Sequence, residues 1–147
     1  MYSKTYGKVS VEKMVEIIKD YTSDINYQYK ISIGTDSQNT NLTKVVLVVA
    51  IHRVGKGGIF FYDIKNVKKI KNLHQKIYFE AAWSLEMATK LEIDLRCDLE
   101  IHTDIGKLGK TSILVNEIMG WINSSGFVCK IKPEAYCASC IADRISK

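Results

Sequence analysis

"IHTDIGKLGKTS", Ile101–Ser112, decides the fold, because its two halves point to different architectures. The tail resembles the end of a phosphate-binding loop, G-x-x-x-x-G-K-[ST], with Gly109, Lys110 and Thr111 in place. The first glycine of that pattern belongs at position 104, and Asp104 stands there. A carboxylate repels phosphate and lacks the backbone freedom that glycine gives the loop. The tail is therefore a strand-to-helix turn, with Thr111 or Ser112 near the helix N-cap. The head is the end of a strand that delivers Asp104.

Hydrophobic periodicity supplies the neighbouring elements. "VEKMVEIIKDY" (Val11–Tyr21) has helical spacing. "YKISIGTD" alternates and reads as a strand ending at Asp36. "KVVLVVAIH" is an unbroken β-branched run, which predicts a strand buried on both faces. The turn "VGKGG" joins it to a third strand, "IFFYDIK", and a short turn makes that pair antiparallel. A long helix follows, from Asn72 to Leu91, then the strand "DLEIHTD". The helix "KTSILVNEIMGWINSS" ends at Gly126, the strand "FVCKIK" comes next, and a short helix lies near "ASCIADRIS". This order predicts an α/β fold with a mixed five-stranded sheet flanked by helices. The first three strands form an antiparallel meander, and the fourth and fifth run parallel to the first.

That topology gathers acids at one edge. Asp36 and Asp104 end parallel strands, and ligands of α/β sheets favour the crevice at such strand ends. In the long helix, Ile77, Ala81, Ser84 and Ala88 form the stripe that faces the sheet. At about 100° per residue, Glu80 falls on the border of that stripe and near the helix start. Glu86 falls in solvent, and Glu92 falls at the far edge. A fourth acid comes from the last helix. It is Asp143 if that helix begins near Ala138 or Ser139, and Glu134 if it begins there. Converging carboxylates repel one another, and a divalent cation relieves this; an all-oxygen set suits Mg²⁺ or Mn²⁺. Two such ions about 3.5–4 Å apart activate a water and stabilise a phosphodiester's leaving oxygen.

These segments resemble the ribonuclease H-like superfamily. "IGTDSQ" is similar to its first strand, "YFEAAWSLEMA" to its first core helix, "IHTDIGKLG" to its fourth strand and "SCIADRIS" to its last helix. "IGTDSQ", "IHRVGKGGIFFY" and "IKPEAY…ADR" bring the chain closest to the YkuK-like family of ribonuclease H-like proteins. The resemblance implies one ribonuclease H-like domain over residues 1–147; the N-terminal helix is an addition to the family's pattern, and the basic handle helix of some members has no counterpart here. It also implies metal-dependent phosphodiester hydrolysis, with Asp36, Glu80, Asp104 and Asp143 as catalytic metal ligands. Ser37, Gln38 and His102 stand close by in sequence as auxiliary groups. The alternative is a non-catalytic nucleic-acid-binding module on the same fold.

Net charge is +5 with a pI near 8.9, which is compatible with a nucleic-acid partner. Lys65, Lys68, Lys69, Lys71 and Lys76 lie beside the proposed site with no acid among them, and Lys107 and Lys110 flank Asp104. These lysines suit phosphate contacts, which add binding strength without sequence specificity. Cys137-x-x-Cys140 lacks the further ligands that zinc needs, so Cys97, Cys129, Cys137 and Cys140 read as reduced thiols. The start lacks the apolar run of a signal peptide, and no apolar run reaches 18 residues. The expectation is a cytoplasmic protein without a membrane segment.

Overall fold

The computed structural model describes residues 1–95, 98–135, 141, 142 and 145. The elements are β1 (Tyr2–Ser3), β2 (Gly7–Lys8), α1 (Val11–Tyr21), β3 (Tyr29–Asn39), β4 (Leu42–Arg53) and β5 (Gly58–Lys68). They continue with α2 (Leu73–Asp94), β6 (Leu99–His102), a 3-10 turn (Ser112–Leu114), α3 (Val115–Ser124) and β7 (Val128–Lys130). The strand order is β2-β1-β5-β4-β3-β6-β7. β3, β4 and β5 form the antiparallel meander, and β6 joins β3 in parallel, as β7 joins β6.

The sheet has seven strands, which corrects the expected five. The additional pair is a short N-terminal hairpin whose Tyr2 pairs with Tyr62 on the outer edge of β5. Two-residue strands carry no alternation, so hydrophobic pattern does not reveal them. Aromatic stacking adds to its ladder pairing: Tyr2 stacks on Tyr62 with ring centroids 5.6 Å apart, and Tyr6 stacks on Phe61. A second difference lies at β6, which ends at His102 rather than at Asp104. The last predicted helix falls mostly outside the described residues.

β4 is buried on both faces, as its unbroken apolar run requires. Val45, Leu47, Val49 and Ile51 belong to the core under the helices, with Ile31, Ile33, Ala81 and Ala88. Val46, Val48 and Ala50 face the other way and meet Ile141, Ala142 and Ile145. α2 starts on the Asn72 side chain, which accepts a hydrogen bond from the Gln75 amide at 3.0 Å. Its expected stripe is buried, and so are Trp83, Met87 and Leu91, because α2 also touches α3 and the ladder of β3 and β4.

Two glycines read the packing in opposite senses. A Cβ on Gly58 would come within 2.5 Å of the Ile51 carbonyl oxygen, whereas one on Gly120 in α3 would meet nothing within 4 Å. Gly58→Ala should destabilise the protein by about 1–3 kcal/mol in urea unfolding. Gly120→Ala should stabilise it by roughly 0.5–1 kcal/mol.

Candidate active site at the carboxyl edge of the parallel strands

Register places two of the acids. Gly34 of β3 pairs with His102 of β6, so Asp36 and Asp104 each follow by two residues at the same sheet edge. Asp36 still lies in the β3–β4 ladder, opposite Val46. Asp104 lies just beyond the end of β6, where the Thr103 amide donates to the Lys130 carbonyl at 2.9 Å.

α2 brings the third. Glu80 is only 7% exposed, an uncommon state for a carboxylate. Its pKa rises to about 8 from 4.5, first because burial disfavours its charge. The Asp36 carboxylate raises it further, and the Asp104 carboxylate adds to this. Lys76, one helical turn earlier, and a hydrogen bond donated by the Ser37 hydroxyl pull the other way. Asp36, Glu80 and Asp104 thus form one electrostatic unit. Glu86 pairs with Lys90 at 3.4 Å in solvent, away from this cluster.

Asp104 has a cation of its own: Lys132 Nζ lies 2.8 Å from its Oδ1. Lys132 follows β7, and its amide donates to the Ile105 carbonyl at 2.9 Å, which holds it at the same edge. Lys132 was not among the expected site residues. The available signal was that the strand "FVCKIK" ends at the edge where the acids gather.

Asp143 lies outside the described residues. Glu134 is exposed and lines a cavity on the face of the sheet opposite α2. His102 is the last residue of β6 and lines the same cavity as Glu134. It pairs with Glu100, Nε2 to Oε2 at 3.0 Å. Gln38 is half-buried near the end of β3. Among the expected phosphate-contacting lysines, Lys65, Lys68, Lys69, Lys71, Lys107 and Lys110 are exposed. Lys65 sits over the Trp83 ring at 4.4 Å, and Lys76 is half-buried toward Glu80. Cys129 is a free, buried thiol whose pKa is raised by burial, and the other cysteines lie outside the described residues.

The donor chemistry fits a hard divalent cation. The three acids offer only oxygen, and their mutual repulsion shows in Glu80. Among the described residues, no three acid, histidine or cysteine side chains are yet drawn together into a group that could hold a metal ion.

The raised Glu80 pKa makes stability depend on pH. The folded state holds the Glu80 proton more tightly than the unfolded chain does. The resulting stability is full below about 4.5 and is lost as pH rises through about 8. Glu80→Gln should remove that dependence. Its melting temperature should exceed that of the wild type by several degrees at pH 8.5, with little difference at pH 4.5 in metal-free buffer.

Comparison with known proteins agrees with this architecture. The family model described as ribonuclease H-like matches residues 13–147. An uncharacterized protein, YkuK of Bacillus subtilis (strain 168), is 32% identical over 165 aligned positions. That alignment covers 99% of this chain and 96% of the relative. No solved structure matches. With Asp36, Glu80 and Asp104 gathered at the edge of a mixed sheet and the family model spanning nearly the whole chain, the protein belongs to the ribonuclease H-like family, in its YkuK-like branch.

Proposed function

We propose that the chain is a divalent-metal-dependent nuclease that hydrolyses phosphodiester bonds of nucleic acid: RNA, an RNA–DNA hybrid or structured DNA. The observation that carries this reading is the buried Glu80, raised to about 8 beside Asp36 and Asp104. A buried acid kept close to two others costs stability, and functional sites are where such costs are found.

Asp36, Glu80 and Asp104 would hold Mg²⁺ or Mn²⁺, with Asp143 as the fourth ligand and two ions as the full complement. When bound, the ions supply positive charge that activates water and neutralises the departing oxygen. Asp36 gains rigidity from the β3–β4 ladder. Ser37 orients Glu80 through its hydroxyl, and Lys76 limits how far the Glu80 pKa climbs. Lys68, Lys69 and Lys71 beside the α2 start, with Lys107 and Lys110 after Asp104, form an exposed basic rim for a phosphate backbone. No helix among the described residues is long and apolar enough to cross a membrane.

A second reading has its own observation. The Lys132 ammonium already neutralises Asp104, and no preformed metal group exists among the described residues. Both suit a non-catalytic nucleic-acid-binding module on the same fold.

A cleavage panel separates the two. Labelled hybrid, single-stranded RNA, duplex DNA and a branched junction are incubated with protein in Mg²⁺ and in Mn²⁺. Metal-dependent cleavage of at least one substrate is expected. Asp36→Asn should lower the rate by more than about 100-fold, beyond the usual cost of losing an outer-shell partner. Salt-sensitive binding without cleavage of any substrate would favour the binding module.

A further inference from the structure

A cavity of about 510 Å³ opens on the face of the sheet opposite α2, on the amino-terminal side of Asp36. Cross-strand register builds it in rows. One row holds Glu100, Ser32, Ala50 and Phe60; the next, further from the acids, holds Lys30, His52 and Gly58. His102 stands in the row on the other side, beside Gly34. The middle row offers small side chains as a floor, with Phe60 and Ile141 as apolar walls.

His102 makes this more than a packing gap. It lines the cavity and is 4% exposed. Its Nε2 bonds to Glu100 at 3.0 Å, and its buried Nδ1 has no hydrogen-bond partner among the described residues. With Nε2–H donating to the carboxylate, Nδ1 is a bare acceptor whenever the ring carries a single proton. A buried polar atom left in that state costs about 1–3 kcal/mol unless something donates to it. Glu134, which also lines the cavity, is another acceptor for N–H groups. At the opposite end, Lys30 and His52 are direct cross-strand partners, both exposed, and neither makes an ion pair among the described residues. Gly58 faces His52 across the ladder and also lines the cavity.

The cavity therefore has His102 beside Lys130 at one end, with Glu134 also in its lining, a middle row of Glu100, Ser32, Ala50 and Phe60, and Lys30 and His52 at the other end. The two outer rows are four residues apart along β3, about 13–14 Å. We propose that this cavity binds a nucleoside monophosphate. The base donates N–H groups to His102 Nδ1 and Glu134, lies along the row of Ser32, Ala50 and Phe60, and sets its phosphate at Lys30 and His52. A volume of this size suits a ligand of that class. The site is separate from the acid cluster and does not depend on the nuclease reading.

Calorimetric titration tests it, with AMP, GMP, CMP and UMP, the matching nucleosides, and inorganic phosphate alone. EDTA is present throughout, so that no divalent ion can bridge a nucleotide to the acids. At least one monophosphate should bind at a single site, more tightly than its nucleoside or phosphate. Lys30→Ala should weaken the monophosphate about tenfold and leave the nucleoside unchanged. His102→Gln should weaken both, and in the wild type the His102 Nδ1 resonance should shift with the monophosphate. No binding at millimolar concentration would overturn the proposal. So would phosphate alone binding equally well, or an affinity that Lys30→Ala leaves unchanged; Lys30 is exposed, so that variant keeps its fold.

Discussion

The carboxyl group of Glu80 lies where water barely reaches, and that burial, with the nearby Asp36 and Asp104 carboxylates, favours its protonated form. The arrangement needs three separate accidents of chain path to coincide. β3 must end beside β6 in parallel, α2 must start at the same edge, and its buried arc must include position 80. The mixed topology supplies the first two. The crossover from β5 through α2 to β6 carries the chain past β4 and β3, so the helix begins at the carboxyl edge of the parallel strands. The third depends on the phase of the helix alone.

Counter-charges make the cluster tolerable. Lys76 acts on Glu80 from one turn away, the Ser37 hydroxyl binds it, and Lys132 reaches Asp104 from beyond β7. This balance links stability to function. The fold can persist with the acids uncompensated by metal because Glu80 takes a proton and Asp104 takes a lysine. A divalent ion would compete with both, so occupancy of the cluster is tied to the release of a proton and the displacement of an ammonium group.

Much of this was legible before any coordinates. The unbroken "KVVLVVAIH" announced a strand buried on both faces, and it is. The mixed sheet with its meander followed from turn lengths. Helical phase put Glu80 on the border of the sheet-facing stripe near the helix start, but not its near-complete burial. The N-terminal hairpin was not legible, because two-residue strands held by Tyr2 and Tyr6 have no period. Lys132 was missed because its role depends on the register of β7 against β6. The cavity could not be read at all. Its lining joins Ser32, Ala50 and Phe60 from three strands, and only cross-strand register brings them together.

The central claim, that Asp36, Glu80 and Asp104 act as one cation-ready unit, is tested most directly by carboxyl carbon NMR. The Glu80 signal is followed through a pH titration, first without divalent ions and then in saturating Mg²⁺. The account expects a midpoint near 8 in the metal-free protein and a return to the ordinary carboxylate range when Mg²⁺ binds. A metal-free midpoint near 4.5, or one near 8 that Mg²⁺ leaves in place, would contradict it.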